Sequence, residues 1–257
     1  MRIAFFDSGI GGITVLAEAM KQLPNEDFIY FADTLHVPYG SKSKEDVFTY
    51  VNQSVERIIK EEVKALVIAC NTATSIAVSE LRNKYDIPIV GMEPAVKPAL
   101  EMNRSTGKRV LVLATPLTLK QSKYTELVSR IDDHYLVDSL PLPELVEFCE
   151  HLDFDGPAII DYFHGKLAKY DLSAYGTIVL GCTHYPFYKS LLRRILPSHM
   201  HIVDGSVGTV NRLIQLLSSK DEGFSAKGRG SITFLCSNDD QAYINKMETA
   251  LQRFLEI

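Results

Sequence analysis

Two cysteines hold matched places in the chain. Cys70 closes the apolar run Val67-Ile68-Ala69 and precedes Asn71-Thr72; Cys182 closes Val179-Leu180-Gly181 and precedes Thr183-His184. Short apolar runs without alternation mark strands buried on both faces, and in parallel α/β sheets ligands sit beyond the carboxyl ends of strands. Asp7, Ser8 and Thr115 fall at such ends too. If two such segments face each other, the thiols stand on opposite sides of one cleft. A thiolate on one side can then take a proton from one face of a carbon, while a thiol on the other returns one to the opposite face. That inverts a stereocentre without a cofactor. Each sulfur needs a neighbour to manage its proton: Asp7 ends a strand upstream of Cys70, and His184 stands two residues after Cys182. A helix N-terminus after each cysteine favours thiolate over thiol. A lone catalytic cysteine with a histidine base is the simpler nucleophilic alternative. Cys149 and Cys236 read as ordinary buried thiols.

Other residues offer weaker signals. Gly9, Gly11 and Gly12 lack the third glycine of a dinucleotide loop, and Asp33 is the one feature in favour of nucleotide binding. They fit a tight strand–helix turn whose N–H groups approach an anion. Val37-Pro38-Tyr39-Gly40 is a turn; beside Ser8 its N–H groups and hydroxyl would suit a carboxylate, although a plain loop with a packed tyrosine explains it as well. Thr115 and Thr118 flank Pro116, where helix capping alone accounts for either. Glu147 reads on its own as a solvated helix acid. The histidines show no paired metal-ligand spacing, and the four cysteines form no CxxC pair, so neither a metal site nor a disulfide framework is expected.

The 257 residues suggest two compact domains of roughly 100–200 residues. A composition of 46% hydrophobic and 23% charged residues is that of a globular chain. A net charge of −5 without a basic stripe argues against nucleic acid as a partner. No run approaches the ~20 apolar residues of a membrane span, and the first residues do not read as a secretory signal. The expected setting is cytosolic, with reduced thiols.

β-type runs occur at Ile3–Phe6, Phe28–Phe31, Ala65–Ala69, Ile87–Val90, Val110–Leu113, Thr177–Leu180, His201–Val203 and Ile232–Cys236. Helical periods follow at Glu45–Val63, behind the capping box Ser43-Lys44-Glu45-Asp46, at Thr72–Tyr85, from Pro186 to about Leu196, at Val207–Leu217 and at Asp240–Leu255. Strands alternating with helices mean α/β with mainly parallel sheets. The chain also repeats itself: Cys70 lies 63 residues after Asp7, and Cys182 lies 67 after Thr115. The expected architecture is two similar lobes with the active site in the cleft between them. Residues 1–97, joined by the C-terminal segment 207–257, form the first; 98–206 form the second. The chain first crosses near Glu93–Pro98, and Ser218–Gly230 is a Gly/Ser/Lys-rich loop.

Asp7-Ser8-Gly9 with Gly11-Gly12, Val37-Pro38-Tyr39-Gly40, Ala69-Cys70-Asn71-Thr72-Ala73, Glu93-Pro94, Ala114-Thr115-Pro116 and Gly181-Cys182-Thr183-His184-Tyr185-Pro186 occur in order over about residues 1–206. Taken together they resemble the cofactor-independent glutamate racemases. The resemblance implies a bacterial cytosolic enzyme that interconverts L- and D-glutamate, supplies D-glutamate for peptidoglycan and forms homodimers. It implies that Cys70 acts on the D-enantiomer and Cys182 on the L-enantiomer, that Asp7 and His184 assist them, and that Glu147 lies near the second thiol. Asp7, Ser8, Tyr39, Gly40, Asn71, Thr72, Thr183 and His184 match substrate contacts, with Thr115 and Thr118 beside them. The chain departs from the family pattern at Leu35-His36, at Thr74 and in a shortened Gly91-Met92-Glu93-Pro94. Aspartate racemases resemble it in both cysteines but typically carry an acid in place of His184, which favours glutamate. A racemase for another acidic amino acid and a two-lobed binding protein are the rival readings.

Overall fold

The computed structural model describes residues 1–132, 134–219 and 228–256. Of the expected loop Ser218–Gly230, residues 220–227 lie outside the described residues.

The chain runs β1 (Ile3–Asp7), α1 (Ile13–Gln22), β2 (Phe28–Ala32), α2 (Lys44–Ile59), β3 (Ala65–Ile68), α3 (Asn71–Lys84), β4 (Ile89–Gly91) and α4 (Val96–Asn103). It continues β5 (Arg109–Ala114), α5 (Pro116–Lys120), α6 (Ser122–Ile131), β6 (Val137–Pro141), α7 (Glu144–Glu150), α8 (Pro157–Leu167), β7 (Tyr175–Leu180), α9 (Lys189–Ile195) and β8 (His201–Asp204). It closes with α10 (Ser206–Ser219), β9 (Ile232–Cys236) and α11 (Gln241–Leu255). Two parallel sheets result, ordered β4-β3-β1-β2-β9 and β6-β5-β7-β8.

Burial explains why these runs become strands. Along β1, Ile3 and Phe5 face one core, while Ala4 and Phe6 face another. On one side of the first sheet, Val47, Val51, Val55 and Ile58 of α2 pack with α3 against Ala4, Phe6, Ile29 and Phe31. On the other side lie Ile13 of α1, Val210 and Leu213 of α10, and Met247 of α11. That second core runs without a break into the other lobe, through Leu111, Leu113, Ile178 and Leu180 and the helices α7, α8 and α9. The far face of the second sheet is covered by Val96 and Ala99 of α4 and by Tyr124, Val128 and Ile131 of α6. Helical spacing gathers Val47, Val51, Val55 and Ile58 of α2 on one buried stripe with Ile59 at its partly buried edge, and Ser43 caps the helix by accepting the N–H of Asp46 at 3.1 Å.

One strand is added and two expectations of local structure change. β6 was not legible as a strand: it reads Val-Asp-Ser-Leu-Pro, sits at a sheet edge and buries only Leu140. The helix expected from Pro186 is a 3-10 turn over Tyr185–Tyr188 that leads into α9. Cys182 therefore precedes a 3-10 turn, whereas Cys70 is the N-cap of a 14-residue α-helix.

The lobes are joined at two crossings, and Thr209 of α10 ties them. Its hydroxyl accepts the N–H of Glu93 at 2.9 Å and donates to the Gly205 carbonyl at 2.8 Å. Gly205 has no room for a side chain, since a Cβ there would lie 2.1 Å from the Glu93 carbonyl oxygen. Thr74, one of the departures in sequence, bonds the Ile68 carbonyl and the Met92 N–H at the same crossing.

Candidate active site

Both thiols line one cavity between the lobes, with an empty volume of about 280 Å³. Ser8, Pro38, Tyr39, Gly40, Asn71, Thr72, Thr115, Val146, Thr183 and His184 complete its wall. Most of these residues follow the carboxyl end of a parallel strand, in the turn or the first helical residues after it, while Val146 comes from within α7. Cys70 and Cys182 are 6% and 7% exposed, and all four cysteines are free.

The two sulfurs sit in unlike surroundings. Cys70 Sγ takes the N–H of Ala73 at 3.5 Å and faces the Ser8 hydroxyl at 4.0 Å. The helix N-terminus expected to favour thiolate is outweighed here: burial and, after it, the charge of Asp7 push the Cys70 thiol well above its usual range. Cys182 Sγ lies 3.7 Å from His184 Nδ1, and His184 Nε2 lies 2.9 Å from Glu150 Oε1. Burial works against the imidazolium, but the hydrogen bonds and charges of Cys182 and Glu150 outweigh it and raise His184 to about 10. At neutral pH the second sulfur thus has a cationic donor beside it, and the first remains a thiol.

Asp7 stands behind the cavity wall, fully buried. Its Oδ1 accepts the N–H of Gly9 at 3.1 Å, and its Oδ2 accepts the Thr183 hydroxyl at 3.0 Å. Burial lifts its carboxyl to about 6, although His184 and these two donors favour the carboxylate. Tyr39 is held by Asp33, whose carboxylate accepts its hydroxyl at 2.5 Å. Asp33, the one feature in favour of nucleotide binding, thus positions the turn. Thr72, Thr115 and Thr118 form a triangle of hydroxyls with sides of 3.2, 3.0 and 3.0 Å, which closes α3 of one lobe onto α5 of the other. Thr115 also caps α5, accepting the Thr118 N–H at 3.3 Å.

Glu147 is a correction. It is exposed on α7, and the acid that reaches His184 is Glu150, one helical turn further on. The helical period is the one signal for it, and it separates the two acids only once the cavity face is known: position 150 shares the face of Val146, which lines the cavity, while position 147 turns away. Tyr243 and Lys246 of α11, which bond Glu150, had no such signal because they lie more than 90 residues away.

Among the described residues, no group of three or more His, Cys, Asp or Glu side chains is placed to hold a metal ion. A larger cavity of about 1110 Å³, lined in part by Arg82, Glu93 and Tyr124, opens beyond Asn71 and Thr118 and contains neither thiol. No helix among the described residues is long and apolar enough to cross a membrane.

The chain as a whole is similar to proteins named as racemases. Residues 14–212 match the family described as Asp/Glu/hydantoin racemase. Glutamate racemase 2 of Bacillus subtilis is 52% identical over 249 residues, covering 96% of this chain and 93% of the relative. The structure of Escherichia coli glutamate racemase with L-glutamate and the activator UDP-MurNAc-Ala aligns at a TM-score of 0.85 and 30% identity, over 98% of this chain and 95% of that one. Francisella tularensis glutamate racemase with D-glutamate aligns at 0.83 and 29%, over 98% and 93%. With its paired thiols, two-lobed fold and near-complete overlap with these relatives, the chain belongs to the Asp/Glu/hydantoin racemase family of isomerases.

Proposed function

We propose that the chain interconverts L- and D-glutamate by proton transfer between Cys70 and Cys182, without a cofactor. The observation that carries this reading is the pair of buried thiols on one cavity, each supplied by a different lobe and each with its own partner. With L-glutamate, Cys182 as thiolate takes the α-proton and becomes a thiol, leaving the electron pair on the α-carbon. Cys70 gives its proton to the opposite face and becomes a thiolate. The products of this step are D-glutamate and the two sulfurs in exchanged protonation states, so charge and protons balance. D-glutamate follows the same path in reverse.

The chain's other residues support the step. His184, cationic at neutral pH, stabilises a thiolate at Cys182, and Asp7 acts on the Cys70 side through its charge. Backbone N–H groups and hydroxyls at Ser8, Tyr39, Gly40, Asn71, Thr72, Thr115, Thr118 and Thr183 hold the carboxylates and the amino group. The division into 1–97 with 207–257 and 98–206 gives each lobe one thiol. D-glutamate supply for peptidoglycan, a cytoplasmic setting and a homodimer belong to the same reading, the dimer being open to sedimentation analysis.

The test is polarimetry on chelator-treated, dialysed protein with each glutamate enantiomer. Both should reach zero rotation at full rate without added metal or pyridoxal phosphate. Turnover of aspartate in preference to glutamate would reassign the substrate. Binding without any turnover would leave a two-lobed binding protein.

A further inference from the structure

Glu150 gathers more partners than a histidine-orienting acid needs. Its Oε1 accepts the N–H of Ile10 as well as facing His184, both at 2.9 Å. Its Oε2 accepts the Tyr243 hydroxyl at 2.6 Å and Lys246 Nζ at 2.9 Å. Lys246 Nζ also reaches the Glu150 backbone carbonyl at 3.0 Å, at the C-terminus of α7 where a cation is favoured. The ammonium is fixed over the Tyr243 ring, 3.8 Å from its centroid.

These bonds join the lobes. Glu150 and His184 belong to the second, whereas Ile10 follows β1 and α11 packs on α1 and β9 of the first. Phe254 of α11 further meets Phe187 of the second lobe, ring centroids 5.1 Å apart.

Charge bookkeeping shows what Lys246 adds. A thiolate at Cys182 and a carboxylate at Glu150 are two negative charges, and His184 alone matches only one. Lys246 is the second cation. The other ionisable groups facing the cluster are Asp7 of β1, Tyr30 of β2, Cys70 before α3, Cys149 of α7, and Tyr185 and Tyr188 of the 3-10 turn, and burial keeps Cys70 and Tyr185 protonated. Burial holds Tyr30, Cys149 and Tyr188 neutral, and Asp7 adds only negative charge, so none replaces Lys246.

We propose that Lys246, oriented by Tyr243, is a positioning residue: acting through Glu150 from the C-terminal helix, it completes the ionised Cys182–His184–Glu150 chain when the lobes are closed. This rests on the racemase reading above. Loss of a nearby cation favours every protonated form.

The test compares Lys246→Met, Lys246→Arg and Tyr243→Phe in the full chain, following kcat and KM against pH. Lys246→Met should lower kcat about tenfold with little change in KM, and should move the acid limb of the profile up by about half a unit to one unit. Lys246→Arg should restore the limb, and Tyr243→Phe, which keeps the charge, should leave it near its parental position. In a Glu150→Gln background, Lys246→Met should add less than a twofold loss, because coupled residues are not additive. An unmoved limb in Lys246→Met, or a full tenfold loss in the Glu150→Gln background, overturns the proposal. Should Lys246→Met fail to fold, Lys246→Gln carries the same test at this partly exposed position. Alkylation of Cys182 by iodoacetamide at pH 7, read by peptide mass, should slow in Lys246→Met and not in Lys246→Arg. That measurement needs no turnover, so it separates failure of this proposal from failure of the racemase reading, which an inactive parent chain would show.

Discussion

The hydroxyl of Thr183 donates to Oδ2 of Asp7 over 3.0 Å, joining the residue after the second thiol to the strand end of the opposite lobe. Asp7 also raises the Cys70 thiol through its charge. One buried carboxylate thus acts on the first sulfur and holds the residue that follows the second. Asp7→Asn should lower kcat by about 10²-fold or more, the low end for an acid–base group. Its stability should change in a defined direction. The folded pKa of about 6 lies above the ordinary 3.8, so this group stabilises the fold fully below pH 3.8, and that contribution is lost as pH rises through 6. The variant lacks this loss. Urea midpoints at pH 4 and pH 7 should therefore shift in its favour relative to the parent; an unchanged difference would contradict the buried, proton-holding carboxyl.

Two opposed thiols leave an isotopic record. In deuterium oxide at low conversion, D-glutamate formed from L-glutamate should carry deuterium at the α-carbon, while remaining L-glutamate should carry little. Cys70→Ala should stop inversion while leaving slow α-exchange of L-glutamate through Cys182. Cys182→Ala should give the mirror result from D-glutamate. NMR of the α-proton with chiral separation checks this, and near-parental racemisation by either variant would exclude the mechanism.

His184 makes a second pH prediction, of the same sign but at higher pH. Its folded pKa of about 10 exceeds the ordinary 6.5, so its stabilisation is complete below pH 6.5 and disappears as pH rises through 10. The deficit of His184→Asn relative to the parent should be largest near pH 6 and narrow towards pH 10. Chemical denaturation across that range measures it.

Space around the second thiol is tested by a methyl group. A Cβ at Gly11 would lie 2.5 Å from both His184 Nδ1 and Thr183 Oγ1, so Gly11→Ala must displace both side chains. We expect it to fold and to lose activity by about 10²-fold, the cost of misplacing reacting groups by about 1 Å. Gly165, on α8 with open space around it, is the control; alanine there should stabilise the helix by about 0.5–1 kcal/mol and leave the rate unchanged. Equal rates for the two variants would argue against the tight packing.

Both thiols were legible because an apolar run ending in Cys and a polar pair is a local pattern, and parallel sheets collect such ends on one rim. The same holds for the valine stripe of α2. What resisted was set by tertiary context. Glu147 and Glu150 occupy one short acidic helix, and only the face turned to the cavity separates them. Tyr243 and Lys246 carry no local mark at all, since their role arises where α11 meets the end of α7. β6 hid because an edge strand need not be apolar: its Asp138 instead bonds Arg109 and Tyr175.

The pairing of β2 with β9 has a consequence for how the chain is made. Phe28 stands opposite Ile232, 204 residues later, while all strands of the second sheet lie within 109–204. As synthesis proceeds, the second sheet has all its strands while β9 is still to come. Until then β2, reading Phe-Ile-Tyr-Phe-Ala, is an open apolar edge, the kind of surface on which nascent chains pair wrongly. Such long-range closure is slow, and a premature stop before Ile232 would make the exposure permanent. Among the described residues, the last strand to leave the ribosome is the one that shields the first-begun sheet from its neighbours.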